Sequence, residues 1–227
     1  MNQAQPRDAS NAPPPLAAGL LPALLHRLAN TTQILSGLNS LAALGLGPEL
    51  WSERAADVEA ASEQAHELGY LLAVVGSGAG ADLLGERRAP QGLRWTVGLV
   101  REGLRRRGLD LGPDPEPWPR LCAAAPEGWR LPWAVAELLW MASADGPADA
   151  ELGWSLRQAG EGYSLDVKPL GETVQPPGED WRRGLSERLP GTQLEFHGDS
   201  WRLLIPPNWL TAPTAGAAHD CEQVVNR

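Results

Sequence analysis

The strongest pattern along the chain is a leucine- and alanine-rich run from Leu16 to Leu44, LAAGLLPALLHRLANTTQILSGLNSLAAL. Both residue types favour helix. Leu21, Leu24, Leu28, Thr31, Leu35, Leu38 and Ala42 recur at alternating spacings of three and four, which predicts a helix with a seam for a neighbouring helix. Pro22 lies inside the pattern, so the helix is expected to start or kink there. Gly45, Gly47 and Pro48 end it. A second helix is predicted from about Glu49 to Val75, with Trp51, Ala55, Val58, Ser62, Ala65, Leu68, Leu72 and Val75 as its seam. The short link makes the pair an antiparallel hairpin. A lone hairpin covers only one face of each helix, so two chains are expected to join as a four-helix bundle, a homodimer.

Gly76 to Pro90, GSGAGADLLGERRAP, reads as a linker. It lacks the spacing and the Lys-Ser/Thr of a phosphate-binding loop, and no strand precedes it. Gln91 to Arg107 is a predicted helix with Trp95, Leu99 and Leu104 inward. It closes on Arg105, Arg106 and Arg107, where cations complement the helix dipole and read as a solvated terminus. Leu109 to Trp118 is proline-broken and extended, and Leu131 to Ala142 is a buried helix. Strand-like runs occupy Glu151–Gln158, Tyr163–Lys168, Gln193–His197 and Trp201–Ile205, paired as hairpins around Gly160 with Gly162 and Gly198 with Asp199. A short helix, Trp181 to Leu189, lies between the pairs. The fold class is α+β, with helices on one face of a mixed or antiparallel sheet. The expected division is a tail at 1–15, the helical hairpin at 16–78, a linker at 79–90, an α+β domain at 91–210 and a second tail at 211–227.

Composition narrows the partners. The net charge of −9 over 227 residues argues against nucleic acid and anionic membrane surfaces. Ten Trp stand against two Tyr and one Phe, mostly beyond residue 90, so large rings are expected in the core there. Cys122 and Cys221 form neither a disulfide framework nor a metal motif. No apolar run is long enough for a membrane span, and the N-terminus has no signal-peptide pattern, so the expected location is cytoplasmic.

The candidate chemistry centres on His26. It falls off the leucine seam toward solvent, with Asn30 one helical turn on and Gln33 two turns on. An exposed imidazole is a nucleophile near neutral pH, although a lone exposed histidine is more often an ordinary surface residue. His66 is a rival on the second helix. His197 and His219 have no partner at useful spacing. The acid pairs Glu49/Glu53 and Glu63/Glu67 read as solvated faces.

Three segments carry a resemblance. HRLAN at His26–Asn30 is similar to an H-R-x-x-N phosphoacceptor box. QAHELGYLLAVVGSG at Gln64–Gly78 resembles the second helix of a dimerisation and phosphotransfer hairpin. ELLWMA at Glu137–Ala142 resembles the N box, E/N-L-L-x-N-A. Together they resemble the transmitter core of two-component histidine kinases, which implies a hairpin that forms a four-helix bundle in the dimer and a degenerate histidine-kinase-ATPase-like sandwich. The departures define the variant. Met141 stands where that family has a Mg²⁺-ligating Asn, and a thioether is a poor ligand for a hard cation. The D-x-G-x-G motif and the Gly-rich lid are absent, with PLGETVQPPGED in that region. Arg27 replaces the acidic residue common after the histidine.

The chain thus resembles dimeric histidine phosphotransferases, which have a kinase-like fold without ATP. The resemblance implies that His26 moves a phosphoryl group between receiver-domain aspartates of a two-component phosphorelay. In that role Asn30 would hold the phosphoryl group or a water, and Arg27 would offset its charge. Gln33 and Ile34 would meet the partner. No cofactor of its own is implied; the receiver supplies Mg²⁺, and neither ATP, nucleic acid nor membrane is an expected partner. The alternative is a catalytically inactive dimeric pseudokinase scaffold or inhibitor that docks a kinase or response regulator.

Overall fold

The structure is a computed structural model that describes residues 16–45, 52–76, 89–115, 118, 130–170 and 178–207. The expectations for both tails, for most of the linker, and for Gly47, Pro48, Glu49, Trp51, Cys122, His219 and Cys221 lie outside these residues. Among the described residues there are five helices and a five-stranded mixed sheet, an α+β architecture as expected. The helices are α1 (Leu16–Ala43), α2 (Ala55–Val75), α3 (Ala89–Arg105), α4 (Arg130–Ala142) and α5 (Glu179–Arg188). The strands are β1 (Asp110–Leu111), β2 (Glu151–Ala159), β3 (Gly162–Lys168), β4 (Gln193–His197) and β5 (Ser200–Ile205). None of the described helices is long and apolar enough to cross a membrane.

α1 begins six residues before Pro22 and runs through it. Its hydroxyls are satisfied on the helix itself: Thr31 donates to the Arg27 carbonyl at 2.9 Å and Thr32 to the Leu28 carbonyl at 2.8 Å. Gly45, at φ 66°, takes the left-handed conformation that ends the helix. α1 packs beside α2 along a stripe that shares only part of the predicted seam: Leu24 and Thr31 of α1 and Leu68 of α2 are buried as expected, and the stripe then turns toward Leu16, Leu20 and Ala23. Leu16, Leu20, Ala23, Leu24 and Thr31 are buried, whereas Leu21, Leu28 and Leu35 are about half exposed. On α2 the buried residues are Ala61, Leu68, Tyr70, Leu71, Ala73 and Val74; the predicted seam positions Ala55, Val58, Ser62, Ala65 and Leu72 face solvent. The predicted start at about Glu49 lies outside the described residues; the main body of α2 runs from Ala55. The physical reason for the shifted stripe is that α1 carries apolar residues on more than one face. Periodicity alone does not say which face the same chain covers.

The face covered within the chain meets α3 and α4. Here close approach depends on glycine. A Cβ on Gly92 of α3 would overlap the Tyr70 ring of α2, and one on Gly19 of α1 would overlap the Trp140 ring of α4. The core cluster runs without a break from Leu16 of α1 to Ile205 of β5.

The sheet order is β1-β2-β3-β5-β4, with β1 parallel to β2 and the other pairs antiparallel. Both predicted hairpins are present, and their glycines Gly160 and Gly198 have φ of 61° and 60°. β1 falls inside the stretch expected to be merely extended. Two residues are too few for an alternating pattern, and the strand forms because Asp110 and Gly112 donate to the Ala150 and Leu152 carbonyls. Register places Trp154, Leu156, Leu165, Val167, Trp201 and Leu203 on one buried face. The other face carries Arg157, Asp166, Arg202 and Glu195, so the helices cover one side and a charge ladder faces water. Trp133, Trp140, Trp154 and Trp201 are buried as large core rings, as the tryptophan count implies.

Candidate functional site

The buried stripe of α1, Leu16–Leu20–Leu24, continues three and then four residues on to Arg27 and Thr31. Arg27 therefore turns inward, while His26 and Asn30 stay on the exposed face beside it. Asn30 Nδ2 lies 3.3 Å from His26 Nε2, as an i,i+4 pair on one helix allows. With the amide as donor, Nε2 accepts through its lone pair, as in the tautomer that carries the ring proton on Nδ1.

Arg27 joins three helices. Its Nη1 pairs with Glu67 of α2, and its Nε donates to Glu102 Oε2 of α3 at 3.1 Å. The three side chains are only 25%, 22% and 26% exposed. The second oxygen of Glu102 accepts from Arg106 at 3.0 Å. Glu67 is thus not part of a solvated acidic face; it is half-buried and neutralised by Arg27. The guanidinium of Arg27 is turned to these carboxylates, so offsetting a phosphoryl charge at His26 would require it to leave them.

Around these residues lies an open groove of about 850 Å³. All five residues singled out in the sequence, His26, Arg27, Asn30, Gln33 and Ile34, line it. The groove also takes Gln64 and Glu67 from α2 and Glu102, Arg105 and Arg106 from the end of α3. Sequence reasoning missed the last three because they lie some 75 positions away, on a helix whose placement against α1 no local pattern encodes. One signal was available: Arg27 falls in step with Leu20 and Leu24, and a charge on a buried stripe needs an opposite charge.

The helix expected to reach Arg107 ends at Arg105, and the three arginines at this point, two of them in the following turn, separate in the fold. Arg107 is not a solvated terminus. It donates to the Ser143 hydroxyl and carbonyl at 3.0 Å each and to the Ala144 carbonyl at 3.2 Å, closing the end of α4, with its guanidinium 5.0 Å from the Trp140 ring. Partial burial pushes its pKa down. Arg105 and Arg106 are 66% and 42% exposed at the groove rim.

The rival histidines sit elsewhere. His66 shares a 2.7 Å hydrogen bond with the Ser62 carbonyl on its own helix, and His197 lies 2.9 Å from Glu195. Neither lines the groove. Met141 is half-buried against the core at the end of α4, and Glu137 one turn earlier accepts from the Trp181 indole at 2.7 Å. Among the described residues, no three His, Cys, Asp or Glu side chains gather as a metal-ligand set.

No protein-family model matches the chain, and no curated protein is similar enough to count as a relative.

Proposed function

We propose that the chain is a dimeric histidine phosphotransferase with a histidine-kinase-like core, in which His26 relays a phosphoryl group between receiver-domain aspartates. The observation that carries this reading is the placement of His26: exposed, backed by the Asn30 amide at 3.3 Å, at an open groove of about 850 Å³. In the transfer, the bond from phosphorus to the aspartyl carboxyl oxygen breaks as the bond to the imidazole nitrogen forms. The carboxylate leaves with the electron pair, and no external proton is needed. In-line alignment of the three atoms does most of the work, and Mg²⁺ on the receiver would hold the phosphoryl oxygens. Asn30 is suited to hydrogen-bond the transferred group. Arg27 positions α1 through its two carboxylates, and Gln33 with half-buried Ile34 offers partner contact below the histidine.

The dimer is read from the uncovered apolar stripe. Leu21, Leu25, Leu28 and Leu35 of α1 are 49%, 54%, 46% and 48% exposed, and Val58 and Leu72 of α2 are 41% and 51% exposed. Such a row on adjacent helices matches the inner face of a four-helix bundle. The mixed sheet with helices on one face is compatible with a kinase-like second layer, and Met141 supports its having no ATP–Mg²⁺ site.

Incubation with a panel of phosphorylated receiver domains tests the reading. Wild type should acquire acid-labile, base-stable phosphate, and His26→Ala should acquire none while keeping its fold. If no receiver phosphorylates the wild type, the dimeric pseudokinase scaffold or inhibitor becomes the better reading. Phosphate retained on His26→Ala would refute the assignment of this histidine.

A further inference from the structure

The groove holds three arginines, and they differ in what they are free to do. Arg27 is three-quarters buried and engaged by Glu67 and Glu102. Arg106 gives one N–H to Glu102 at 3.0 Å and is 42% exposed. Arg105 is 66% exposed, with a long 3.4 Å contact to Asp110 on the surface. A guanidinium carries five N–H donors, so both rim arginines keep donors for a partner. The chain as a whole carries −9, which repels acidic surfaces. A partner bearing a carboxyl phosphate brings a dianion to this groove and needs a local positive edge to approach.

We infer that Arg105 and Arg106, at the end of α3, form the docking edge for the phosphate-bearing face of the partner receiver domain. This rests on the reading of His26 as the phosphoacceptor. The histidine comes from α1 and the docking charge from α3, so the site is complete only where the two helices are held together. The Arg27–Glu102 pair is the visible tie between them, and Gly103 of α3 seats the Leu20 side chain of α1 and the Trp140 ring of α4. Exposed rim charges act mainly on encounter and salt dependence, not on the chemical step.

The test compares two phosphodonors on the full-length protein. One is a phosphorylated receiver domain that exchanges with wild type; the other is phosphoramidate, a small donor with no docking face. Arg105→Glu/Arg106→Glu should raise the KM for the receiver roughly five- to tenfold with little change in kcat, and should flatten the salt dependence. The loss with phosphoramidate should be much smaller. Arg183→Glu, which reverses an exposed charge on α5 outside the groove, should behave as wild type. Arg105→Lys/Arg106→Lys should restore most of the receiver KM, since the requirement is for charge.

Equal losses with both donors would overturn the inference, because the arginines would then act on the phosphoryl group or on the fold. No loss with either donor would overturn it too and return both residues to a solvated helix end. If wild type takes phosphate from neither donor, the phosphoacceptor reading itself fails and this inference with it. Loading by phosphoramidate without any accepted receiver would overturn the docking edge alone.

Discussion

Replacing Arg27 with alanine probes the polar joint it makes between α1, α2 and α3. The substitution removes two charge-assisted hydrogen bonds, to Glu67 and to Glu102, from side chains about three-quarters withdrawn from water. A fully exposed pair is worth about 0–1 kcal/mol, and breaking a fully buried one costs about 3–5 kcal/mol. The exposures place Arg27 between these limits. Glu102 keeps Arg106, so Glu67 bears most of the loss. The expected destabilisation is about 2 kcal/mol, including the packing of the arginine stem. For a chain of this size that is a fall in Tm of about 4–8 °C. Urea unfolding followed by circular dichroism, at one fixed protomer concentration, should show a lower midpoint with an unchanged slope. Arg27→Lys should recover only part, because an ammonium cannot reach both carboxylates with the geometry of the fork. In Arg27→Ala/Glu67→Gln the two losses should be less than additive. A change under about 0.5 kcal/mol for Arg27→Ala, the value of an ordinary surface substitution, would refute the reasoning.

Three further outcomes are expected. Gly92→Ala should destabilise by about 2–3 kcal/mol in the same urea assay, because its methyl would overlap the buried Tyr70 ring; a neutral result would mean that α3 does not approach α2 this closely. Leu28→Glu should convert the proposed dimer to monomer in sedimentation velocity with the helical content retained, since Leu28 is 46% exposed within one chain; a monomeric wild type at micromolar concentration would sink the bundle. Partial burial opposes ionisation of Asp166, but hydrogen bonds from Arg202 and Ser164, with the charges of Arg202 and Arg157, outweigh it and hold the carboxyl below its usual range. A lowered folded-state pKa stabilises fully above the ordinary Asp value of about 4 and is lost as pH falls through the folded value. Asp166→Asn should therefore narrow the stability difference between pH 6 and pH 3, and an unchanged difference would count against the ladder.

What the amino-acid order determined by itself is local. The Leu/Ala composition makes α1 a helix, and alternation with glycine turns makes β2–β3 and β4–β5 hairpins, because these patterns depend on residues a few positions apart. His26, Asn30, Gln33 and Ile34 share a stretch of helix for the same reason. What only the tertiary structure decided depends on contacts between distant segments. It decided which of two apolar stripes on α1 turns inward, and that glycines at 19, 92 and 103 admit large side chains from neighbouring helices. It also made β1 a strand, through hydrogen bonds to residues some 40 positions away. The three terminal arginines of α3 show the division most clearly. They are identical in type and adjacent in sequence, yet Arg107 closes the end of α4 while Arg105 and Arg106 face the groove of His26. Arg106 and Arg107 lie in the turn beyond the last helical residue, Arg105, and only the placement of α1 and α4 around that turn gives each side chain a different neighbour.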